Sequence, residues 1–339
     1  MRLACFTGLI GAVAGLTIHG AAQVAAIDAE RLLTGRFGFT AAEVAQARSG
    51  QAIAKMLPSQ DASDIGVFGA VRIDAAPDRL VYWLKQVANF RNAAELGLSR
   101  RLSNPPQIGD FADLSLDPNE LSALRACRPG NCDLLIGDKA IQRFQSEVNW
   151  TASDAAARAT LLMRELLLGH AQAYLTGGDQ ALGAIHNDKA PRVFADEFHQ
   201  VLWQSKGLYD LTPPFAAYLE GFPTARLPES EQFLYWAKGG AGTEESISLH
   251  QLIIFHAPAG DVFVADKQLF ASRYVDAALV VVSLASAPEG KGFYALVGAR
   301  ARSTMLRGTG ARLLRGRVES VTRDTATMYL NWIRGSLAQ

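Results

Sequence analysis

The sequence predicts an α+β fold: a curved antiparallel sheet packed by a long C-terminal helix, with a helical subdomain inserted. Residues 231–303 contain five β-rich runs with short connections, which is typical of an antiparallel meander. A helical pattern follows over about 304–336, and a largely helical stretch at 139–225 precedes the meander. A terminal helix across the concave face of the sheet would bury its apolar side and leave a cavity beneath it.

The first 26 residues have the layout of a secretory signal peptide. One arginine is followed by an apolar stretch from Leu3 to about Ile18, and then by small residues up to Ala26. The apolar stretch is shorter than the roughly 20 residues that a membrane-spanning helix needs. We therefore predict cleavage near Ala26 and an exported protein, periplasmic or secreted; the alternative is an uncleaved membrane anchor.

The chain after the signal peptide is predicted to begin with helices. Thr40 is a suitable N-cap, and Glu43 three residues later completes a capping box. A β-rich run at 65–73 leads into a helix near Pro77, because apolar residues recur there at helical spacing. The predicted units are a signal peptide (1–26), a helical lead-in (27–64), the first part of the α+β domain (65–138), a helical insertion (139–225), and the meander with the C-terminal helix (226–339).

The stretch CRPGNC holds the two cysteines, Cys127 and Cys132, that remain after removal of Cys5 with the signal peptide. An even pair in an oxidising compartment most simply forms a disulfide, and a Pro-Gly turn can bring the two Cα atoms close enough. A thioredoxin-like redox pair has two intervening residues instead of four. A structural zinc site needs about four ligands. We predict a disulfide, with a redox pair and a metal knuckle as the alternatives.

Formal charge is balanced over the whole chain but not along it. From Gly298 to the end there are eight arginines and only two acidic residues. We expect Arg312, Arg315 and Arg317 on the terminal helix to contact an anionic membrane surface or an acidic partner. The alternative is a solvated helix face. Zero net charge in an exported chain argues against nucleic acid as a partner.

Several motifs that carry catalysis are missing from the sequence. It contains no G-x-S-x-G elbow, no Walker A loop and no H-E-x-x-H zinc helix. We therefore predict neither a cofactor nor a metal.

Polar residues in the predicted meander are the candidates for a ligand site. His250 lies near the middle of an apolar strand and is the best candidate to face the cavity. Tyr274 and Asp276 are two apart at the head of the most apolar strand, so they share a face. Arg300 or Arg302 on the last strand could pair with that aspartate. We predict that these groups orient the polar end of an apolar ligand; the alternative is a salt bridge at the rim of the sheet.

The stretch LVYWLKQVANF, which follows GAVRIDAAPD, resembles the opening of the START-like or SRPBCC superfamily. In that group a strand runs into "A-P", a helix begins at once, and further strands and a long C-terminal helix complete a helix-grip fold. The resemblance covers roughly 48–100 and 231–338. Around 80 helical residues stand where those folds have a short connection, and an insertion of that length could cap the cavity as a lid.

These observations favour an exported protein that binds an apolar or amphipathic small molecule, such as a lipid, between the sheet and the terminal helix. One alternative is an enzyme that acts on a small apolar substrate in the same cavity, with His250, Tyr274 and Asp276 as acid-base groups. Another is a non-enzymatic envelope adaptor that uses the helical block and the arginine-rich tail.

Overall fold

The computed structural model describes residues 26–93, 97–188, 190–205, 211–240, 244–288, 291–308 and 310–337. The predicted signal peptide lies outside these residues, apart from Ala26. Within the described ranges, no helix combines the length and the apolar character that crossing a bilayer requires.

Among the described residues, one large antiparallel sheet of eight strands, which is not closed, forms the centre of the fold. Its eight strands are β1 (Ile53–Leu57), β2 (Asp64–Ile73), β3 (Leu98–Arg101), β6 (Ser230–Gly239), β7 (Ser246–His256), β8 (Val262–Ala271), β9 (Val275–Ser286) and β10 (Phe293–Ser303). Their spatial order is β1-β2-β10-β9-β8-β7-β6-β3. A separate short pair consists of β4 (Ala184–Ile185) and β5 (Arg192–Val193). The prediction of an α+β fold with a C-terminal antiparallel meander is confirmed.

Ten helices of the described residues surround the sheet. They are α1 (Ala29–Gly35), α2 (Ala41–Arg48), α3 (Pro77–Lys85), α4 (Val87–Ala93), α5 (Pro118–Ala126), α6 (Asp138–Glu147), α7 (Ala155–Gly177), α8 (Phe194–Gln204), α9 (Pro213–Gly221) and α10 (Ala311–Leu337). The predicted capping box is present at the start of α2, where Thr40 accepts from the Glu43 amide and Glu43 accepts from the Thr40 amide.

The two faces of the sheet carry different helices. On one face, which we call the cavity face, α3, α4 and α10 pack; on the other, the insertion face, α1, α2 and α5 to α9 pack. Successive strand residues alternate between the two. In β9, for example, Val280 and Val282 belong to the cavity face, whereas Leu279 and Val281 belong to the insertion face. The helical insertion therefore does not cap the cavity under α10; it covers the opposite side of the sheet.

Helix α10 is anchored through its second half. Its buried residues are Ala326, Leu330, Ile333 and Leu337, which recur at helical spacing and pack against the cavity face. Gly69 of β2 makes room for this contact, because a Cβ atom there would lie 2.8 Å from Leu330 Cδ1. The long C-terminal helix packed on the sheet was expected, and its presence confirms that part of the prediction.

One local prediction, the helical lead-in over 27–64, is wrong in its second half. The helical lead-in ends at α2, and residues 53–57 form the edge strand β1, paired with β2 from Ile53 opposite Ala70. The chain leaves the helix at Gly50, whose positive φ of 84° is a conformation that favours glycine. Residues 53–57 form a strand because they pair with β2, and the spacing of apolar residues along the segment does not predict that contact.

Cys127 and Cys132 form a disulfide, as predicted, with their Cα atoms 4.3 Å apart. Both cysteines are buried in the hydrophobic core on the insertion face of the sheet. The Gly130 amide of the intervening turn donates to the His186 carbonyl at 3.1 Å, and the Cys132 amide donates to the Asn187 carbonyl at the same distance. The disulfide thus closes a turn that is hydrogen-bonded to the segment after β4.

Candidate functional site

A cavity of about 420 Å³ lies between the cavity face of the sheet and the helices α3, α4 and α10. The strands contribute mainly valine and leucine side chains, and α10 closes the other side. The apolar lining residues of the sheet are Val67, Leu252, Val264, Val280, Val282, Val297 and Ala299. From α10 come Val321, Thr322, Thr325, Ala326 and Tyr329. The lining is therefore mostly aliphatic, with a few hydroxyl groups on the helical side.

One charged group of the sheet, Asp266 of β8, opens onto this apolar space. The Tyr235 hydroxyl donates to Asp266 Oδ2 at 2.5 Å, and His250 Nδ1 lies 2.8 Å from Asp266 Oδ1. The imidazole ring of His250 stacks on the Tyr235 ring, with centroids 4.7 Å apart and planes 10° from parallel. These three residues stand on neighbouring strands and form one polar cluster at the wall of the cavity.

The environment of Asp266 keeps its carboxyl group ionised. Burial by itself raises the pKa of Asp266, but His250, the Tyr235 hydroxyl and the Arg91 guanidinium together lower that pKa below its usual value. Arg91 lines the same cavity from α4. A carboxylate that accepts hydrogen bonds thus lies near a guanidinium at the wall of the apolar cavity.

Two phenols complete the polar part of the cavity. Burial raises the pKa of Tyr235 well above its ordinary value, and burial also raises the pKa of Tyr329. Both side chains therefore stay protonated at neutral pH and act as hydrogen-bond donors.

Of the five residues predicted to orient a ligand, the structure places only His250 in this cluster. Asp276 lies among residues of the insertion, where Arg192 is 3.1 Å and Arg307 is 3.2 Å from its carboxyl oxygens. Tyr274 occupies the turn between β8 and β9 with a positive φ of 67°, and its carbonyl accepts from Ser303 and Thr304. The structure does not bring His250, Tyr274 and Asp276 into one site.

The two arginines of β10 also point away from the cavity. Arg300 binds the Asp64 carboxylate and lies over Gly66, whose missing side chain leaves room for the guanidinium. Arg302 binds Glu197 of α8 and lies 3.0 Å from Asp61 Oδ2. The expectation that Arg300 or Arg302 pairs with Asp276 is wrong, since the insertion and the segment after β10 supply the partners of that aspartate.

The sequence did not point to Asp266 or Tyr235 as residues of the ligand site. Asp266 stands in DVFVADKQLFA at an even spacing from Val262 and Val264, so a charge on an otherwise apolar strand face was the available signal. Its partners are 31 and 16 residues away, and only strand pairing brings them together.

A second, more polar cleft of about 520 Å³ lies within the insertion. On its wall His186 Nδ1 is 2.7 Å from Asp138 Oδ1. His170 donates through Nδ1 to the Leu166 carbonyl at 2.9 Å, and burial lowers the pKa of its imidazole. No cluster of three or more histidine, cysteine or acidic residues suited to a metal ion occurs in the described part of the chain.

No protein-family model matches this chain, and no curated protein is significantly similar to it. The large antiparallel sheet with a C-terminal helix packed on it is compatible with a helix-grip fold.

Proposed function

We propose that this protein binds an elongated apolar molecule with one polar end, such as a lipid, in the cavity between the sheet and α10. The observation that carries the proposal is an aliphatic cavity with its charged groups gathered around Asp266. Its volume falls within the roughly 300–1,000 Å³ range of small-molecule pockets, which are typically apolar with a few placed polar groups.

The polar cluster limits the chemistry of the ligand's polar end. Asp266 accepts hydrogen bonds, so a hydroxyl or amine group of the ligand can donate to it. Tyr329 and Arg91 line the same space and are donors, which suits a ligand oxygen. A long alcohol, or an ester that carries a free hydroxyl group, satisfies both requirements and can place its hydrocarbon chain against Val264, Val282 and their neighbours.

We further propose that the chain is an exported member of the START-like superfamily with a large insertion. The order of elements supports this: a strand (β2), two helices, a short strand (β3), a five-strand meander and a long terminal helix. The insertion lies between β3 and β6 and packs on the opposite face of the sheet, so it leaves that order intact.

Native mass spectrometry of the gently purified protein tests the binding proposal. We expect a co-purified apolar ligand that organic extraction removes. An empty protein that also fails to bind a fluorescent fatty acid or fatty alcohol would refute it.

Contact with a membrane is the second candidate function, because none of the buried residues of α10 lies in its first half. Leu313 is 89% exposed, and Leu314 beside it is exposed as well. Arg312 and Arg317 are exposed on the same two turns. We propose that this segment contacts the surface of an anionic bilayer, with leucines in the interface and arginines at the phosphates.

A further inference from the structure

We propose that Ser248, His250 and Asp266 form a nucleophilic relay in which the Ser248 hydroxyl attacks the carbonyl carbon of an ester. Ser248 Oγ lies 2.8 Å from His250 Nε2, and His250 Nδ1 lies 2.8 Å from Asp266 Oδ1. A nucleophile within hydrogen-bond reach of a base, and a base oriented by a third group, is the arrangement that activates serine in enzymes.

The hydrogen bonds set the direction of proton transfer. Asp266 is ionised and can only accept, so His250 Nδ1 carries the proton of that bond. In the neutral imidazole Nε2 then has the free lone pair, and the Ser248 hydroxyl donates to it. Ser248 Oγ also lies 3.4 Å from the Ala237 carbonyl, a longer contact than the one to His250. The serine is thus poised to lose its proton to the imidazole.

Two features of the fold hold this geometry. Ser248 and His250 are two apart on β7 and therefore share the cavity face. A bulge in the β7–β8 pairing falls between Leu249 and His250, and such bulges re-aim side chains beside functional sites. Asp266 and Tyr235 do not touch the reacting atoms; they position the imidazole, Tyr235 by binding the other carboxylate oxygen and by stacking on the ring.

The substrate class follows from the cavity, so this inference rests on the proposed function. Asp266 lines the cavity. Ser248 is half-buried and lies on the other side of the His250 ring from Asp266. We expect an ester of an apolar acid, with its chain in the cavity and its carbonyl group extended to Ser248.

The chemistry is the hydrolysis of that ester in two steps. Ser248 Oγ bonds to the carbonyl carbon while its proton passes to His250 Nε2. The carbon–oxygen bond to the alcohol breaks, and the alcohol leaves with that proton. Water then attacks the acyl-serine with His250 as base, which releases the acid and restores the serine.

A fluorophosphonate with an alkyl chain tests the nucleophile directly, because it bonds to activated serines with loss of fluoride. We expect peptide mapping to place the adduct on Ser248, with labelling lost in Ser248→Ala and slowed at least 100-fold in His250→Gln. Ser246→Ala is the matched control, since Ser246 contacts Ser272 and Arg273 instead of a histidine. Labelling of other residues only, or equal labelling of His250→Gln, would overturn the relay.

A second variant keeps the test decisive if removal of His250 unfolds the protein. Ser248→Cys should react with iodoacetamide at pH 7 at least tenfold faster than Ser246→Cys, because a paired imidazole favours the thiolate. The double variant Ser248→Cys, Asp266→Asn should react more slowly than Ser248→Cys at pH 7. At pH 10 the two should react equally fast, because the thiol is ionised in both. The titratable groups around His250 are Asp266 and Tyr235, and Arg91 and Tyr329 act through these two. Equal rates for the two cysteine variants at pH 7 would refute the inference.

Failure of the relay and failure of ligand binding give different results. Ser248→Ala keeps every residue that lines the cavity and should retain the co-purified apolar ligand. An unlabelled Ser248 in a ligand-loaded protein would reject the relay alone. A labelled Ser248 in a protein that binds no apolar probe would support the relay and reject the proposed carrier function.

Discussion

Lys267 of β8 and Asp179, which follows α7, form an ion pair of 2.6 Å in the interior between the sheet and the insertion. The Lys267 side chain is 1% exposed, its ammonium group lies 3.9 Å from the centre of the Phe198 ring, and it donates to the Leu219 carbonyl. One side chain of the sheet therefore contacts three separate parts of the insertion. We infer that this pair fixes how the insertion sits on the sheet.

Removing one partner of this pair should strongly lower the free energy of unfolding, whereas replacing both partners should lower it much less. Lys267→Met leaves the Asp179 carboxylate buried and unpaired, which we expect to lower the free energy of unfolding by about 3–5 kcal/mol. The double variant Lys267→Met, Asp179→Asn should lose clearly less than the single variant. Urea unfolding followed by circular dichroism measures both. Equal losses in the two variants would contradict the role of the pair.

The same lysine predicts an unusual pH dependence. Burial lowers the pKa of Lys267 to about 8, whereas the unfolded chain has the ordinary value near 10.5. Between these values the unfolded state binds more protons, so the contribution of Lys267 to stability rises with pH. From pH 7.5 to 9.5 the wild type should gain about 2 kcal/mol relative to the double variant, in which neither position titrates. A constant difference over this range would show that Lys267 has an ordinary pKa.

Filling the cavity should remove the ligand without unfolding the protein. Val264→Phe and Val282→Phe place two rings in the space between the sheet and α10. We expect the variant to bind an apolar probe at least tenfold more weakly and to keep a cooperative thermal transition. Leu313→Phe, on the exposed side of α10, is the control for added aromatic surface. Undiminished probe binding by the filled variant would place the ligand elsewhere.

Removing the disulfide should lower the free energy of unfolding of the protein. The bridge closes a short loop, for which loop entropy gives about 2 kcal/mol of stabilisation. The variant Cys127→Ser, Cys132→Ser should lose this amount in urea unfolding. If the chain is exported and its signal peptide is removed, as proposed, titration of the denatured protein should find no free thiol before reduction. Two free thiols would mean that the bridge does not form in the natural compartment.

The arginines of α10 should differ in their effect on membrane binding. Arg312→Gln and Arg317→Gln should each weaken binding to phosphatidylglycerol vesicles about fivefold, because a basic residue near an anionic surface contributes about 1 kcal/mol. Arg315→Gln should have a smaller effect on binding, since Arg315 donates to the Ala62 carbonyl at 2.8 Å and binds Glu319. Arg31→Gln, far along the chain and exposed, is the control. Equal binding of all four variants would argue against a docking surface on α10.

The sequence allows prediction of those features whose partners are close along the chain. The capping box of Thr40 and Glu43 spans three residues, and the disulfide spans five, so both could be predicted from local chemistry. The meander could also be predicted, because its short links force neighbouring strands to pair.

The site could be predicted only in part, because its contacts depend on strand order and on the position of the insertion. His250 was expected at the cavity, but the identity of its partner required the pairing of β7 with β8. We expected an arginine of β10 to pair with Asp276, whereas its nearest partner, Arg192, is 84 residues away in the insertion. Spacing along a strand predicts a face, but not which helix covers that face.

Asp266 and Lys267 are consecutive, and they carry opposite charges to opposite faces of the sheet. A slip of β8 by one residue would exchange them. The lysine would then meet His250 and Arg91, and the aspartate would be buried against Asp179. Like charges would face each other on both sides at once, in addition to the misplaced apolar residues. The adjacent pair thus makes incorrect strand alignment electrostatically unfavourable, and it protects the register of the strand during folding.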